Sequence, residues 1–391
     1  MNFKNKRTYA FNPKKYSSNK LIANCAKHIT NYGFCLIDEV IPINKIKNIR
    51  NEVIEAKNKI NNNINKIKEL VESKKYSEEK LLKNKNIQLR SVGKIGRPAK
   101  PVNDIVWMPK FAKYLCNSNI VKIASKVLDD HLRIVQIHPK VIRTSNNNNN
   151  KKSLSFGYDD QGLPHIHRGP AYSRDWHTDW PHDPSSYGGG NPDENVGCIR
   201  QPFPDITMCL VMIWFLNDVD ENSGGTWFVP GSHKDNRTPR GPSDGITLTA
   251  PIPGEIQVKA KAGSVFIQDS RLWHSSPLHN FSNFNRVAVV TRWSPWWLSA
   301  NDFAPKSRFN VVCRPLSHKE YLSLPKQLRP LMKHLCPDVM ESIQTPLLKR
   351  AKAAVKRTQW AYKQLKKNSQ KIVKANSKIK INTNHLKQRY K

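Results

Sequence analysis

The chain has 391 residues, of which 38% are hydrophobic, and a formal net charge of +35. That length accommodates one large domain with additions, or two domains, and no stretch approaches the roughly 20 apolar residues of a membrane span. The seven cysteines stand singly, which argues against a zinc ribbon and against a disulfide framework. No apolar segment of signal-peptide length precedes the predicted domain, so the sequence predicts a cytoplasmic protein.

Most of the excess positive charge lies at the two ends of the chain. Residues 1–30 contain seven Lys or Arg, residues 345–391 contain fifteen, and neither segment contains an acidic residue. We expect the first to be a basic, flexible N-terminus. In the second, Thr345-Pro346 is typical of a helix start, and apolar residues follow at helical spacing. This Lys-rich amphipathic tail could dock on the domain, lie on an anionic membrane or contact nucleic acid, and docking or a solvated tail is the simplest interpretation.

Helical and β patterns alternate along the first part of the domain. The predicted elements, in chain order, are a strand at 33–41, a helical segment at 43–85, a loop at 91–102, a helical stretch at 105–127 and a strand at 132–141. The isoleucines of the helical segment recur at or near helical spacing, which indicates one face packed against something else. The helices are therefore expected to form a cover beside a β-core.

Short β-like runs dominate the stretch that follows. Apolar runs at 205–216, 226–229, 263–267 and 287–291 are separated by turn-forming loops. Many short strands at this spacing indicate an antiparallel barrel or jelly roll. After this core, residues 305–344 are expected to form a helical or loop extension.

Two distant segments of this β region carry metal-binding side chains. His177 and Asp179 are two residues apart, and on a strand that spacing turns both toward the same face. His274 lies far enough along the chain to return on a neighbouring strand with a second imidazole. Two histidines and one carboxylate form the facial triad of non-haem Fe(II) oxygenases. The pattern predicts a mononuclear iron centre.

Four motifs together resemble the phytanoyl-CoA dioxygenase family of Fe(II)/2-oxoglutarate oxygenases. They are GFCLIDEVIP at 33–42, WHTDW at 176–180, NSGGTWFVPGSHK at 222–234, and LWH at 272–274, which is followed twelve residues later by Arg286. The resemblance covers roughly residues 30–300 and is specific in the combination of motifs. It implies a double-stranded β-helix (a cupin-like jelly roll) over 31–304, within a mainly β protein with flanking helices.

The resemblance also implies roles for individual residues. His177, Asp179 and His274 would bind Fe(II), and Arg286 would pair with the distal carboxylate of 2-oxoglutarate, as a planar guanidinium can do with two parallel hydrogen bonds. Arg292 is the reserve for that role, because its even offset of six places it on the same strand face. Two further residues match positions that line the cosubstrate pocket: Ser276 and Trp214.

The implied reaction uses O2 and 2-oxoglutarate and releases succinate and CO2, with ascorbate as a potential stimulant. Asp179 favours hydroxylation, since halogenating relatives lack this carboxylate. The substrate is expected to be a small organic molecule, and no obligate protein partner is indicated. Pocket-wall candidates chosen for their proximity to the motifs are Trp180, Tyr172, His167 and Trp293.

Two alternatives remain open. One is a non-catalytic barrel that binds nucleic acid or an anionic membrane through its basic tail. The other is a cupin-like enzyme that uses the same ligands with another metal and no oxoacid. Arg286 discriminates between this last enzyme and a 2-oxoglutarate oxygenase, because the cupin-like enzyme has little use for an arginine so placed.

Overall fold

A computed structural model provides the architecture. It describes residues 7–72, 91–92, 103–144, 156–158, 164–166, 176–179, 181, 199, 204–236, 239, 251–275, 280–298, 312–313, 316–336, 355, 357–366 and 368–370. By internal contacts the chain divides into two compact units, Met1–Pro337 and Asp338–Lys391. The sheets and the predicted site belong to the first unit.

Helices and strands alternate through the first unit. The helices are α1 (Ser18–Tyr32), α2 (Ile43–Glu72), α3 (Pro109–Leu115), α4 (Ser118–Val127), α5 (His318–Ser323) and α6 (Arg329–Met332). The strands are β1 (Ala10–Phe11), β2 (Phe34–Ile37), β3 (Ser91–Val92), β4 (Leu132–Ile142), β5 (Phe156–Tyr158), β6 (Pro164–Ile166), β7 (Leu210–Phe215), β8 (Trp227–Phe228), β9 (Ile256–Gln257), β10 (Val265–Asp269), β11 (His274–Ser275), β12 (Arg286–Pro295) and β13 (Val312–Cys313).

The largest sheet has six strands in the order β1-β2-β10-β7-β12-β4. Its first pair is parallel and all its other pairs are antiparallel. A smaller antiparallel sheet has the order β11-β8-β9. Two further pairs, β13-β3 and β5-β6, are also antiparallel.

A hydrophobic core joins the six-stranded sheet to the three-stranded one. Phe34 and Phe266 of the large sheet pack on Phe228 of the small sheet, with ring centroids 4.4 and 5.2 Å apart. All three rings are fully buried, and each such burial contributes about 1.5–3 kcal/mol. We call the side of the large sheet that faces this core its inner face.

Helices cover the opposite side of the large sheet, its outer face. Phe111 of α3 packs edge-on against Trp214 of β7, with ring centroids 5.6 Å apart. The carboxylate of Glu52 in α2 accepts hydrogen bonds from the backbone N–H groups of Lys110 and Phe111, both at 3.0 Å. A negative charge is favourable at a helix N-terminus, so Glu52 fixes α3 to α2 above the sheet.

The predicted fold class is confirmed in part. A mixed sheet with flanking helices is present, and the strand predicted at 132–141 corresponds to Leu132–Ile142. The description of the protein as mainly β was too strong, because helices are prominent and α2 alone spans 30 residues. Isoleucine periodicity indicated this helix, and its predicted continuation to residue 85 lies outside the described residues.

The described residues of the basic tail, which are 355, 357–366 and 368–370, are helical. Val355, Trp360, Tyr362 and Leu365 are 54 to 68% exposed there. No helix in the described part of either unit is both long and apolar enough to cross a bilayer. The division of the chain into a basic N-terminus, a core, an extension and a tail stays a prediction, as does the cytoplasmic location.

Candidate metal centre

Backbone hydrogen bonds bring the two predicted metal-binding segments together. The N–H of His177 donates to the carbonyl of His274, and the N–H of His274 donates back to His177, both at 2.9 Å. Two residues further on, the Asp179 N–H donates to the carbonyl of Ser270 at 2.7 Å. The segment 176–179 therefore runs antiparallel to the chain around β11.

The three predicted ligands converge on a single point. His177, Asp179 and His274 offer ligand atoms that all lie within 4.8 Å of one another. His274 Nε2 is 3.3 Å from Asp179 Oδ2. Neighbouring ligands of a small octahedral cation, each about 2.1 Å from the ion, lie about 3 Å apart. The donor set and its spacing therefore fit one divalent metal ion, and no other such group occurs among the described residues.

The imidazole of His274 is oriented by its own chain. Its Nδ1 lies 2.8 Å from the carbonyl oxygen of Leu272. A carbonyl accepts and cannot donate, so Nδ1 carries the proton of the neutral ring and Nε2 presents its lone pair. This is the usual arrangement of a metal-binding histidine, whose other nitrogen donates to a carbonyl or carboxylate.

Asp179 is buried, with a side chain 6% exposed. Burial raises the pKa of its carboxyl group, but the nearby charge of Arg292, helped by His274 and His177 when their rings are protonated, outweighs burial and holds the pKa well below its usual range. Arg292 donates a hydrogen bond to Asp179 Oδ1. The carboxylate is therefore ionised at neutral pH, as a metal ligand must be.

Arg286, unlike Arg292, has no side-chain partner within the part of the chain that the structure describes. It is 7% exposed, and among the described residues no hydrogen bond or ion pair reaches its guanidinium. Burial lowers the pKa of Arg286 to about 10, and the group stays charged at neutral pH. A buried, unpaired guanidinium is unfavourable on its own and suits an anionic ligand.

A buried ion pair fixes the turn that leads to His274. The guanidinium of Arg271 donates to both oxygens of the fully buried Asp269, at 3.1 and 2.9 Å. Thr207 Oγ1 also donates a hydrogen bond to Asp269 at 2.7 Å. Because Ser270 lies between the paired residues and accepts from Asp179, this network supports both segments of the triad.

Three of the sequence motifs meet behind the site. Gly33 adopts φ +86°, and a Cβ there would lie 2.7 Å from both His233 Nδ1 and Leu272 Cδ1. His233 Nε2 lies 3.1 Å from the Thr30 carbonyl. The glycine is required because the backbone, the imidazole and the leucine occupy the space that a side chain would need. His233 therefore has a structural position.

Two other predicted site residues share a hydrogen-bond partner on the large sheet. Trp214 is fully buried on the outer face, where its Nε1 donates to Thr291 Oγ1 at 3.2 Å, so the structure does not bring it to the triad. Trp293 is also fully buried and donates to the same oxygen at 3.0 Å. The remaining candidates lie outside the described residues: Ser276, Trp180, Tyr172 and His167.

Sequence reasoning missed Gln136, which accepts a hydrogen bond from Arg292. It lies on β4 directly across from Arg292 on β12. The signal was present, because Gln136, His138 and Lys140 alternate with apolar residues in that strand. Polar residues at every second position of an otherwise apolar strand lie on one face, and such a face indicates polar contacts or a binding site.

Two solved structures are similar to the chain over most of its length, at low sequence identity. HygX from Streptomyces hygroscopicus, solved with nickel and 2-oxoglutarate, matches with 13% identity and a TM-score of 0.41, over 71% of this chain and 87% of that chain. SnoK, a non-heme α-ketoglutarate-dependent carbocyclase from nogalamycin biosynthesis, matches with 15% identity and a TM-score of 0.41, over 72% and 86%. TM-scores this low carry no argument about activity.

No curated protein matches the chain in sequence. The family model named phytanoyl-CoA dioxygenase (PhyH) matches residues 29–288, which is more than half of the chain. That range contains all four motifs, the three metal-binding side chains and Arg286. The chain therefore belongs to the phytanoyl-CoA dioxygenase (PhyH) family of iron- and 2-oxoglutarate-dependent oxygenases.

Proposed function

We propose that this protein hydroxylates a small organic substrate, using Fe(II), 2-oxoglutarate and O2 and releasing succinate and CO2. The observation that carries the proposal is the convergence of His177, Asp179 and His274, whose ligand atoms lie within 4.8 Å of one another. A facial set of two imidazoles and one carboxylate leaves coordination positions open for the keto acid and oxygen.

Arg286 supports 2-oxoglutarate as the cosubstrate. Even-numbered residues of β12 share one face, and Ala288 of that set belongs to the core between the two sheets. Arg286 therefore lies on the inner face, and its guanidinium, which pairs with no described residue, is available for a carboxylate. Arg292, the other candidate, already donates to Asp179. We assign the distal carboxylate of 2-oxoglutarate to Arg286.

Each chain residue then has a defined task. His177, Asp179 and His274 would hold the iron, which when bound supplies the oxygen-activating chemistry. Arg286 would orient the cosubstrate by hydrogen bonds to its far carboxylate. Asp179 fills the position that a halide takes in halogenating relatives, which favours transfer of oxygen to the substrate.

The double-stranded β-helix is part of the proposal. The large and small sheets pack face to face around Phe34, Phe228 and Phe266, and the triad forms where the segment 176–179 pairs with β11 of the small sheet. This arrangement, with a site at the small sheet and an arginine on the large one, is compatible with a jelly roll whose interior holds the ligands.

The first test is succinate formation. Protein purified without oxygen and then given Fe(II), ascorbate, 2-oxoglutarate and O2 should release succinate slowly even without its substrate. His177→Ala should release none, because the iron loses one of its three ligands. A folded wild type that neither binds nor turns over 2-oxoglutarate in the presence of iron would overturn the proposal. If it bound a metal but no oxoacid, the cupin-like alternative would replace it.

A further inference from the structure

The two oxygens of the Asp179 carboxylate have different neighbours among the described residues, because Oδ1 accepts from Arg292 and Oδ2 faces His274. We propose that Arg292 is a positioning residue, held in turn by Gln136, that fixes Asp179 so that Oδ2 alone is presented to the metal. The inference rests on the proposed function only in requiring that Asp179 bind a metal. It does not depend on the reaction that follows.

Strand register delivers Arg292 to this position. It lies on β12 directly across from Gln136 of β4 on one side and Val211 of β7 on the other. The irregularity in the β4–β12 pairing falls after Arg292, between Arg292 and Trp293. Up to that point strand alternation is intact, so Arg292 shares the inner face with Arg286.

The guanidinium of Arg292 bridges two acceptors. One terminal nitrogen donates to Asp179 Oδ1 and the other donates to Gln136 Oε1. The side chains of Arg292 and Asp179 are only 9 and 6% exposed, so water competes little for either hydrogen bond. A planar guanidinium can hold two acceptors in one fixed geometry, which a lysine ammonium on its flexible stem cannot do as well.

The two oxygens of Asp179 therefore face different surroundings. Oδ1 is engaged by Arg292, whereas Oδ2 lies 3.3 Å from His274 Nε2, the nitrogen that presents its lone pair. A carboxylate held in this way binds a metal through one oxygen. Without Arg292, the carboxylate could rotate or bind through both oxygens, and one of the positions left open for cosubstrate would be lost.

Partners of this kind have measurable effects. Loss of a group that hydrogen-bonds to a ligating side chain typically lowers metal affinity or activity by about 10- to 100-fold. A purely structural ion pair predicts something else: the variant would unfold more easily, but its folded fraction would bind metal as the wild type does. Metal affinity of the folded protein therefore separates the two roles.

The experiment measures Co(II) binding by metal-free, full-length protein without 2-oxoglutarate, by calorimetry and by the visible spectrum of the bound ion. Arg292→Gln should bind Co(II) about 10- to 100-fold more weakly and with an altered spectrum. Arg292→Lys keeps the charge and should recover part of the affinity. Gln136→Leu, which removes only the second anchor of Arg292, should show a smaller loss in the same direction.

Arg286→Lys is the matched control, because Arg286 and Arg292 lie on one strand and are each 7% exposed. It should bind Co(II) like the wild type but bind 2-oxoglutarate more weakly. Circular dichroism establishes which variants are folded. If Arg292→Gln does not fold, Arg292→Lys and Gln136→Leu decide the matter.

Folded Arg292 and Gln136 variants with wild-type Co(II) affinity and spectrum would overturn the positioning role, and so would a wild type that binds no Co(II). If the wild type binds Co(II) and the Arg292 variants bind it more weakly, the positioning role stands even when no succinate is formed. In that case only the proposed reaction fails.

Discussion

The two faces of the six-stranded sheet carry different kinds of buried residue. On the inner face Arg286, Arg292 and Gln136 are at most 7% exposed, although two are charged and one is polar. On the outer face the corresponding residues are largely apolar or aromatic, with Trp214 and Trp293 sharing the hydroxyl of Thr291. The same strands thus supply stability on one side and ligand contacts on the other.

This division follows from strand alternation. Neighbouring residues of one strand point to opposite faces, so a strand with both faces buried can keep an apolar face while the other becomes polar. Buried charges are unfavourable unless they are paired, and Arg286 has no partner among the described residues. We infer that the inner face gives up some stability for binding, as sites often do.

The largest expected effect is on the outer face. Trp214→Ala should lower the free energy of unfolding by about 3–5 kcal/mol, because it removes a fully buried indole packed on Phe111. Denaturant unfolding measures this change. Co(II) affinity of the folded protein should stay at the wild-type value.

Trp214→Phe separates the predicted role of Trp214 from its observed place. It keeps an aromatic ring and loses the hydrogen bond to Thr291. A residue that lines the cosubstrate pocket would show a raised KM for 2-oxoglutarate when changed in this way. A residue that belongs to the outer face would show reduced stability alone, which is the result we expect.

On the inner face we expect the opposite result, in which a substitution weakens ligand binding and does not lower stability. Arg286→Met should weaken 2-oxoglutarate binding by about 10- to 100-fold, since hydrogen bonds to charged groups contribute about 1.5–3 kcal/mol each. The same change removes a buried charge that no described residue pairs, and it should leave the free energy of unfolding unchanged or higher. Thermal unfolding measures the stability and titration with 2-oxoglutarate measures the affinity, both on the metal-loaded protein. Lower stability together with unchanged affinity would reverse our assignment of the two faces.

His334 is a second buried group without a hydrogen-bond partner among the described residues, and we expect it to affect stability and not ligand binding. Both of its ring nitrogens are buried without a hydrogen bond among the described residues. Burial, with a contribution from Arg133, lowers its pKa to about 3. Below pH 6.5 the unfolded chain takes up a proton that the folded chain refuses, so stability should fall as pH falls toward 3, by up to about 1.4 kcal/mol per pH unit.

The test compares His334→Gln with the wild type. Replacing His334 should flatten the acid side of the stability curve, because the folded and unfolded chains then no longer differ in protonation at this position. The variant should not alter Co(II) affinity at neutral pH. Urea unfolding at a series of pH values between 4 and 7 gives the slopes, and equal slopes in the variant and the wild type would contradict the prediction.

The smallest effect is expected from the basic tail. Removing residues 345–391 should leave Co(II) affinity and succinate formation unchanged, because every residue assigned to the site lies before residue 300. The alternative, a non-catalytic binding protein, predicts a different result. It requires salt-sensitive binding to nucleic acid or anionic vesicles that disappears with the tail and survives His177→Ala, and fluorescence anisotropy at two salt concentrations measures it.

The spacing of residues along the sequence predicted the metal-binding part of the site. The two-residue offset of His177 and Asp179, and the placement of His274 after a strand, predicted the cluster that the structure assembles. These signals work because strand geometry has a period of two. The iron and 2-oxoglutarate chemistry followed from the motifs, and the family match confirms it.

Contacts between residues on different strands could not be predicted from the sequence in this way. Nothing in the sequence fixes that Arg292 lies opposite Gln136, since register depends on turns and on a β-bulge that local patterns do not specify. The place of Trp214 on the outer face is hidden in the sequence for a related reason. In a run such as Leu210–Phe215, buried on both sides, apolar residues alternate between two faces that composition alone cannot tell apart.

The pairing of His177 with His274 has a consequence for the order in which the protein matures. During synthesis His177 and Asp179 leave the ribosome long before His274. Until β11 has been synthesised, the segment 176–179 has no strand to pair with. Joining such distant segments requires closure of a long loop, which slows folding. A nascent chain therefore has no complete site to fill, and we expect iron to enter only after the last strands of the core have emerged and folded.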